Sequence, residues 1–199
     1  MADDEDYHVP GRECGSCTAC CTHLAIISDG MQKLPGIDCE HCLAGAGCAI
    51  YDARPSVCRG YHCGWRNLPY LDESWRPDRS GVLINLQISQ TDSEQTATAD
   101  MILIGDLQVL DGDRFAGMAA GFIESGTETW LVLPAEPGMM AYNVMLNTPL
   151  APAIAARDLA QVKAILRESA EMMRVQPPVP LGPEQMGAGY LGPPAPRIS

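Results

Sequence analysis

Hydrophobic residues fall into regular patterns only in the second half of the chain. Val82, Ile84, Leu86 and Ile88 alternate with Leu83, Asn85, Gln87 and Ser89, the period of two that marks a strand with one buried face. Thr98–Leu103 predicts a second strand, and Thr129–Leu133 a third that Pro134 stops. Between them Phe115, Met118, Ala119, Phe122 and Ile123 recur at helical spacing, so a helix over 112–125 is expected, with Asp111 as its cap. The longest helical pattern runs from Ile154 to Met173. There Leu159, Val162, Ile165, Leu166 and Met173 face inward, while Arg157, Lys163 and Arg167 face out. Residues 139–146 fit neither period. From Gln176 the prolines predict an extended or disordered tail, and the acidic residues 1–13 read as a flexible lead.

Residues 14–80 carry a different signal. A helix over 15–27 would place Cys17, Cys20, Cys21 and Leu24 on one face, whereas a loop would turn Cys20 and Cys21 apart and toward different sites. Residues 28–50 are rich in glycine and turn signals and have little apolar surface to fold around. Pro55 suits the first turn of a short helix over 56–61, and Trp75 to Gly81 closes the segment with a turn. The expected class is therefore α+β: an irregular, metal-stabilised cysteine segment (14–80) packed on a small strand and helix region (81–174), with a lead (1–13) and a tail (175–199).

All nine cysteines of this 199-residue chain lie in that irregular segment: Cys14, Cys17, Cys20, Cys21, Cys39, Cys42, Cys48, Cys58 and Cys63. Three pairs are separated by two residues, the spacing that lets both sulfurs reach one metal ion. The N-terminal residues have no apolar core of a secretory signal, and no stretch of about 18 apolar residues occurs. A cytoplasmic location is thus expected, where structural disulfides are rare, and an odd number of cysteines also disfavours a disulfide framework. One four-coordinate zinc would leave five thiols over; two such ions would use eight. Zinc is the first expectation, with iron or an iron–sulfur cluster as the alternative. Cys14-x2-Cys17-x2-Cys20 matches the start of a ferredoxin run, but Cys21 stands where the three-residue spacer should begin. His23, His41 and His62 are the histidines within reach, and His41, between Cys39 and Cys42, is the best placed.

The net charge of −12 removes nucleic acid and anionic membranes as expected partners, because both require a basic surface. The segment 10–80 is nearly neutral, since Arg12, Arg54, Arg59, Arg66, Arg76 and Arg79 lie in or beside it. These cations would offset thiolate charge.

The segment resembles the CxxCxxCC cysteine-cluster family of zinc- or iron-chelating domain proteins. The resemblance rests on Cys14-Gly-Ser-Cys17-Thr-Ala-Cys20-Cys21, on Cys39 with His41, and on Cys48-Ala-Ile-Tyr51-x-x-Arg54-Pro55-x-x-Cys58-Arg59-x-Tyr61-x-Cys63. It implies a metal site built from these cysteines, with Cys42 beyond the usual eight. A related cluster accompanies flagellin lysine methylases, but no cofactor-binding motif of that kind is found here. Searches for G-x-S-x-G, H-E-x-x-H and phosphate-binding loops are negative, so the reading leans away from an enzyme. The expected function is metal chelation through the cluster. An iron–sulfur redox or group-transfer enzyme is the first alternative, and metal storage or delivery the second. No feature identifies a protein partner.

Overall fold

The computed structural model describes residues 8–28, 31–90 and 95–182. The acidic lead up to Tyr7 and the prolines from Pro183 onward lie outside them. The fold is α+β.

The cysteine segment contains only short elements. These are α1 (Ala19–His23), the hairpin β1 (Ile26–Ser28) and β2 (Met31–Lys33), the hairpin β3 (Cys42–Leu43) and β4 (Gly47–Cys48), α2 (Ser56–Arg59), α3 (Gly64–Asn67) and α4 (Pro77–Ser80). Of the helix and loop alternatives for 15–27, the helix forms for only a turn and a half, because the chain leaves α1 at Leu24 in an extended conformation and enters β1. The closing turn at 75–81 is itself helical, and ends on Gly81 in the left-handed region at φ 71°.

A four-stranded sheet follows: β5 (Val82–Gln90), β6 (Gln95–Leu103), then after helix α5 (Asp113–Glu124) β7 (Glu128–Leu133) and β8 (Tyr142–Met145), in spatial order β5-β6-β7-β8. Only the β6–β7 pair is parallel, with α5 as its crossover; the other two pairs are antiparallel. Strand β8 resolves the ambiguous residues 139–146, its conformation set by pairing with β7. Helices α6 (Asn147–Ala155) and α7 (Leu159–Arg174) complete the chain. The single helix expected over 154–173 is thus divided. Arg157 takes φ 54°, and the Asp158 carboxylate accepts from the Gln161 N–H to start a new helix. Nor does Asp111 cap α5: Gly112 occupies that position, and Asp111 pairs with Arg167 of α7.

The two faces of the sheet bury different things. Val82, Ile84, Met101, Leu103, Leu131 and Leu133 pack against Phe115, Phe122, Leu150, Leu166 and Met173 of the helices. The opposite face presents Leu83, Ile102 and Val132, which pack against Ala19 of α1 with Cys17, Leu24 and Cys63 alongside. The cysteine segment therefore covers the second face, and α3 closes the β5 edge so tightly that a Cβ on Gly64 would meet Ile84 at 2.7 Å. Arg12 fastens the start of the segment, its guanidinium donating to the carbonyls of Trp65, Leu68, Pro69 and Leu71. Residues 179–181 are tied to 138–140 by the Met140 N–H to Val179 O and Leu181 N–H to Gly138 O bonds, both 2.8 Å. Among the described residues no helix is long and apolar enough to cross a membrane.

Candidate functional site

Where the cysteine segment meets the edge of β5 it encloses a cavity of about 360 Å³. Seven cysteines line it: Cys14, Cys17, Cys20, Cys21, Cys39, Cys48 and Cys58. Each comes from a different step of the local fold. The Cys17 N–H bonds the Cys14 carbonyl at 2.9 Å to close a tight turn; α1 carries Cys20 and Cys21; and the Cys39 N–H bonds the Cys21 carbonyl at 3.1 Å. Cys48 stands opposite Cys42 in the β3–β4 hairpin, and Cys58 lies on α2. Gly47, at φ 97°, rests on the carbonyl of Gly15, so the hairpin is pressed against the Cys14–Cys17 turn where any Cβ would collide.

The other two cysteines lie off the cavity. Cys42 is beside it, near the Thr18 hydroxyl. Cys63 precedes the first residue of α3 and packs against both apolar clusters; burial pushes its thiol up to about 11. All nine are free thiols. Among the described residues, no three side chains of His, Cys, Asp or Glu come together closely enough to hold a metal ion. The sulfurs instead stand around the wall of a space larger than one ion.

The electrostatics of the wall single out one thiol: Cys21 is favoured as the thiolate, while Cys17, Cys20 and Cys58 are held toward the neutral thiol. Cys20 donates to Cys21, which raises Cys20 and, together with the nearby charges of Lys33 and Arg54, brings Cys21 down to about 6. Burial raises Cys17 and Cys58. Three cations approach the sulfurs. Lys33 is only 8% exposed, and its ammonium donates to the carbonyls of Thr22 (3.1 Å), Leu34 (2.9 Å) and Ile37 (2.7 Å). Arg66, also buried, places Nη1 3.9 Å from Cys14 Sγ and 3.5 Å from the Tyr51 hydroxyl. Arg54 lines the cavity, its guanidinium stacked 3.6 Å over the Tyr51 ring and its Nε bonded to the Tyr51 carbonyl. None of the three forms an ion pair with a carboxylate among the described residues. Of the other arginines named from sequence, Arg12 is spent on carbonyls, Arg76 on Asp78 and Ser16, and Arg79 on Glu73.

The histidines separate. His41 lines the cavity, with Nε2 3.7 Å from Glu40. His23 faces a second cavity, its Nδ1 buried without a hydrogen-bond partner among the described residues, and burial lowers its pKa. His62 meets the His8 ring edge-on at 5.1 Å.

One end of the cavity is not thiol at all. Asn85 and Gln87 line it from β5 and donate to Asp100 Oδ2 at 3.0 and 3.3 Å. Tyr61 lines it too, with a buried hydroxyl that has no hydrogen-bond partner among the described residues. Burial raises the Asp100 carboxyl to about 6. The sequence places Asn85 and Gln87 on the polar side of an alternating strand, but nothing in it shows that this side meets the cysteines. Lys33 carries no sequence signal beyond its charge.

Comparison of the chain with protein-family models, curated proteins and solved structures returns no match.

Proposed function

We propose that this protein binds a thiophilic metal, zinc first and iron second, through the cysteines of its thiol-lined cavity. The observation that carries the reading is charge. Lys33, Arg54 and Arg66 are brought to a group of seven cysteines and form no ion pair with a carboxylate among the described residues, Asp38 acting on Lys33 only from a distance. A buried cation without a counter-charge is costly, and thiolates in the cavity remove that cost. Metal keeps thiols ionised at neutral pH, and its binding energy would fold a segment that lacks an apolar core of its own. Rotation about χ1 swings a cysteine sulfur by about 3 Å, enough to draw wall sulfurs toward a common ion. The resemblance to the CxxCxxCC family points the same way.

A second reading, an iron–sulfur redox or group-transfer enzyme, is favoured by two features. The sulfurs are spaced around a cavity wider than one ion, and Tyr61, Asn85 and Gln87 provide a polar end where a small molecule could be oriented beside a cluster.

Stripping metal from the purified chain tests the first reading. Residues 14–80 should become protease-sensitive while the sheet and helices α5–α7 persist. Unchanged cleavage after complete metal removal would overturn it.

A further inference from the structure

We propose that the sheet end of the thiol-lined cavity binds a small organic cation, an ammonium on a short apolar body, through the side-chain carbonyls of Asn85 and Gln87 with the Asp100 carboxylate behind them. The proposal rests on this cavity being the functional site, as argued above, but not on which metal the thiols hold.

Register sets the end wall. Leu83, Asn85 and Gln87 share the face of β5 that looks toward the cysteine segment, and Asn85 and Gln87 stand opposite Asp100 and Thr98 of β6. Where the segment packs directly on the sheet the position is apolar, Leu83 in one cluster with Ala19. Where the cavity lies, the next two positions on that face are amides instead.

Hydrogen bonding sets what the amides present. Asn85 Nδ2 and Gln87 Nε2 both donate to the same oxygen, Asp100 Oδ2. With the nitrogens turned to the carboxylate, each amide turns its carbonyl oxygen away from it, and neither oxygen accepts a bond from another side chain among the described residues. The end wall is therefore rich in acceptors.

Charge sets the sign of the ligand. Asp100 is 2% exposed and pairs with no lysine, arginine or histidine among the described residues. The cations of the cavity are at the thiols: Arg66 by Cys14, Lys33 and Arg54 acting on Cys21. A buried carboxylate without a cation is costly; a bound ammonium supplies the missing charge while the carbonyls take its N–H groups. The net charge of −12 draws such cations to the chain.

The rest of the wall suits a carbon chain. Leu24, Ile26, Met31, Ile50, Val57 and Leu86 line the same cavity. Its 360 Å³ falls in the range of about 300–1,000 Å³ usual for small-molecule pockets.

The test is nuclear magnetic resonance titration of the isotope-labelled full chain, as purified and at physiological ionic strength, with n-pentylammonium, 1-pentanol and pentanoate. These probes are equal in length and differ in their polar end. Pentylammonium should shift the backbone amide signals of residues 85–87 and 99–101 and bind about tenfold more tightly than pentanol, the worth of one charge-assisted hydrogen bond, with pentanoate weakest. Asp100→Asn should bring the ammonium to the level of pentanol, and Gln87→Met, at an exposed position, should weaken it about threefold; both should leave pentanol unchanged. Equal binding of the three probes overturns the proposal, as does tighter pentanoate, which would make Arg54 the anchor. So do shifts confined to other regions, no shift with any probe, or ammonium binding that neither variant weakens. Metal analysis of the same samples separates the two readings. A chain that takes up no metal yet binds the ammonium overturns metal binding and keeps this site, and a metal-loaded chain that ignores the ammonium does the reverse.

Discussion

Replacing Lys33 by methionine isolates the contribution of its ammonium, because the apolar stem keeps its length. The change removes three charge-assisted hydrogen bonds, to Thr22, Leu34 and Ile37, from a site that is 8% exposed. At about 1.5 kcal/mol each, the low end for bonds to a charged group, the loss is about 4 to 5 kcal/mol; relief of ammonium burial returns 1 to 2, leaving about 3. The effect should be local. The Thr22 carbonyl also receives the Gly36 N–H at 2.9 Å, and the Cys39 N–H binds Cys21, so these two amides report on the loop that the ammonium holds. Hydrogen exchange measured residue by residue should show the Gly36 and Cys39 amides exchanging about 100-fold faster in Lys33→Met, with β6 and β7 unchanged. An acceleration below about fivefold, or an equal one across the sheet, would refute the assignment of Lys33 as the clamp of this loop.

The buried Asp100 carboxyl gives a pH prediction. Its pKa is about 6 in the folded chain against 3.8 for the ordinary group. The folded state therefore holds a proton that the unfolded state has released, and the stability this confers is full below pH 4 and is lost as pH rises toward 6. Asp100→Asn can still accept from Asn85 and Gln87. It should match the parent in urea unfolding at pH 4 and exceed it by about 2 to 3 kcal/mol at pH 8; a difference independent of pH would contradict this. Gly47→Ala drives a Cβ into the Gly15 carbonyl at a φ of 97°, and should cost about 2 kcal/mol or more locally. Limited proteolysis should cut residues 14–48 faster in that variant, and an unchanged rate would argue against the hairpin contact. Arg12→Lys cannot reproduce a fork that meets four carbonyls. It should lower stability to urea by about 1 to 2 kcal/mol, and an unchanged midpoint would show the clamp to be dispensable.

The strands β5 and β7 and the helix α5 were legible because each buries one face of a regular pattern, and period alone reports that. Strand β8 was not, since residues 142–145 become a strand by pairing with β7. The break at Arg157 was hidden because a non-glycine residue takes the left-handed conformation there; Asp158, a good capping residue, was the only signal available. At the candidate site, the cysteine-dense segment supplies seven thiols to the wall of one cavity, and Arg54 and Arg66 from the arginine list do approach the thiols. Lys33 was missed because its role depends on three carbonyls that only the folded loop brings together. Asn85 and Gln87 read as solvent-facing for a similar reason: alternation separates the faces of a strand without saying what covers each one. Asp100, a lone acid within a strand pattern, is buried because Tyr61 and the cysteine segment lie over that face.

Metal, labile-sulfide and thiol analysis of the anaerobically purified full chain, taken together with its optical spectrum, addresses the central claim most directly. Stoichiometric zinc or iron should be present, with the cysteine thiols protected from alkylation until a strong chelator removes the metal. A chain purified with less than about a tenth of an equivalent of any thiophilic metal, failing to take up zinc or iron under reducing conditions and alkylating at the rate of free cysteine, would contradict it.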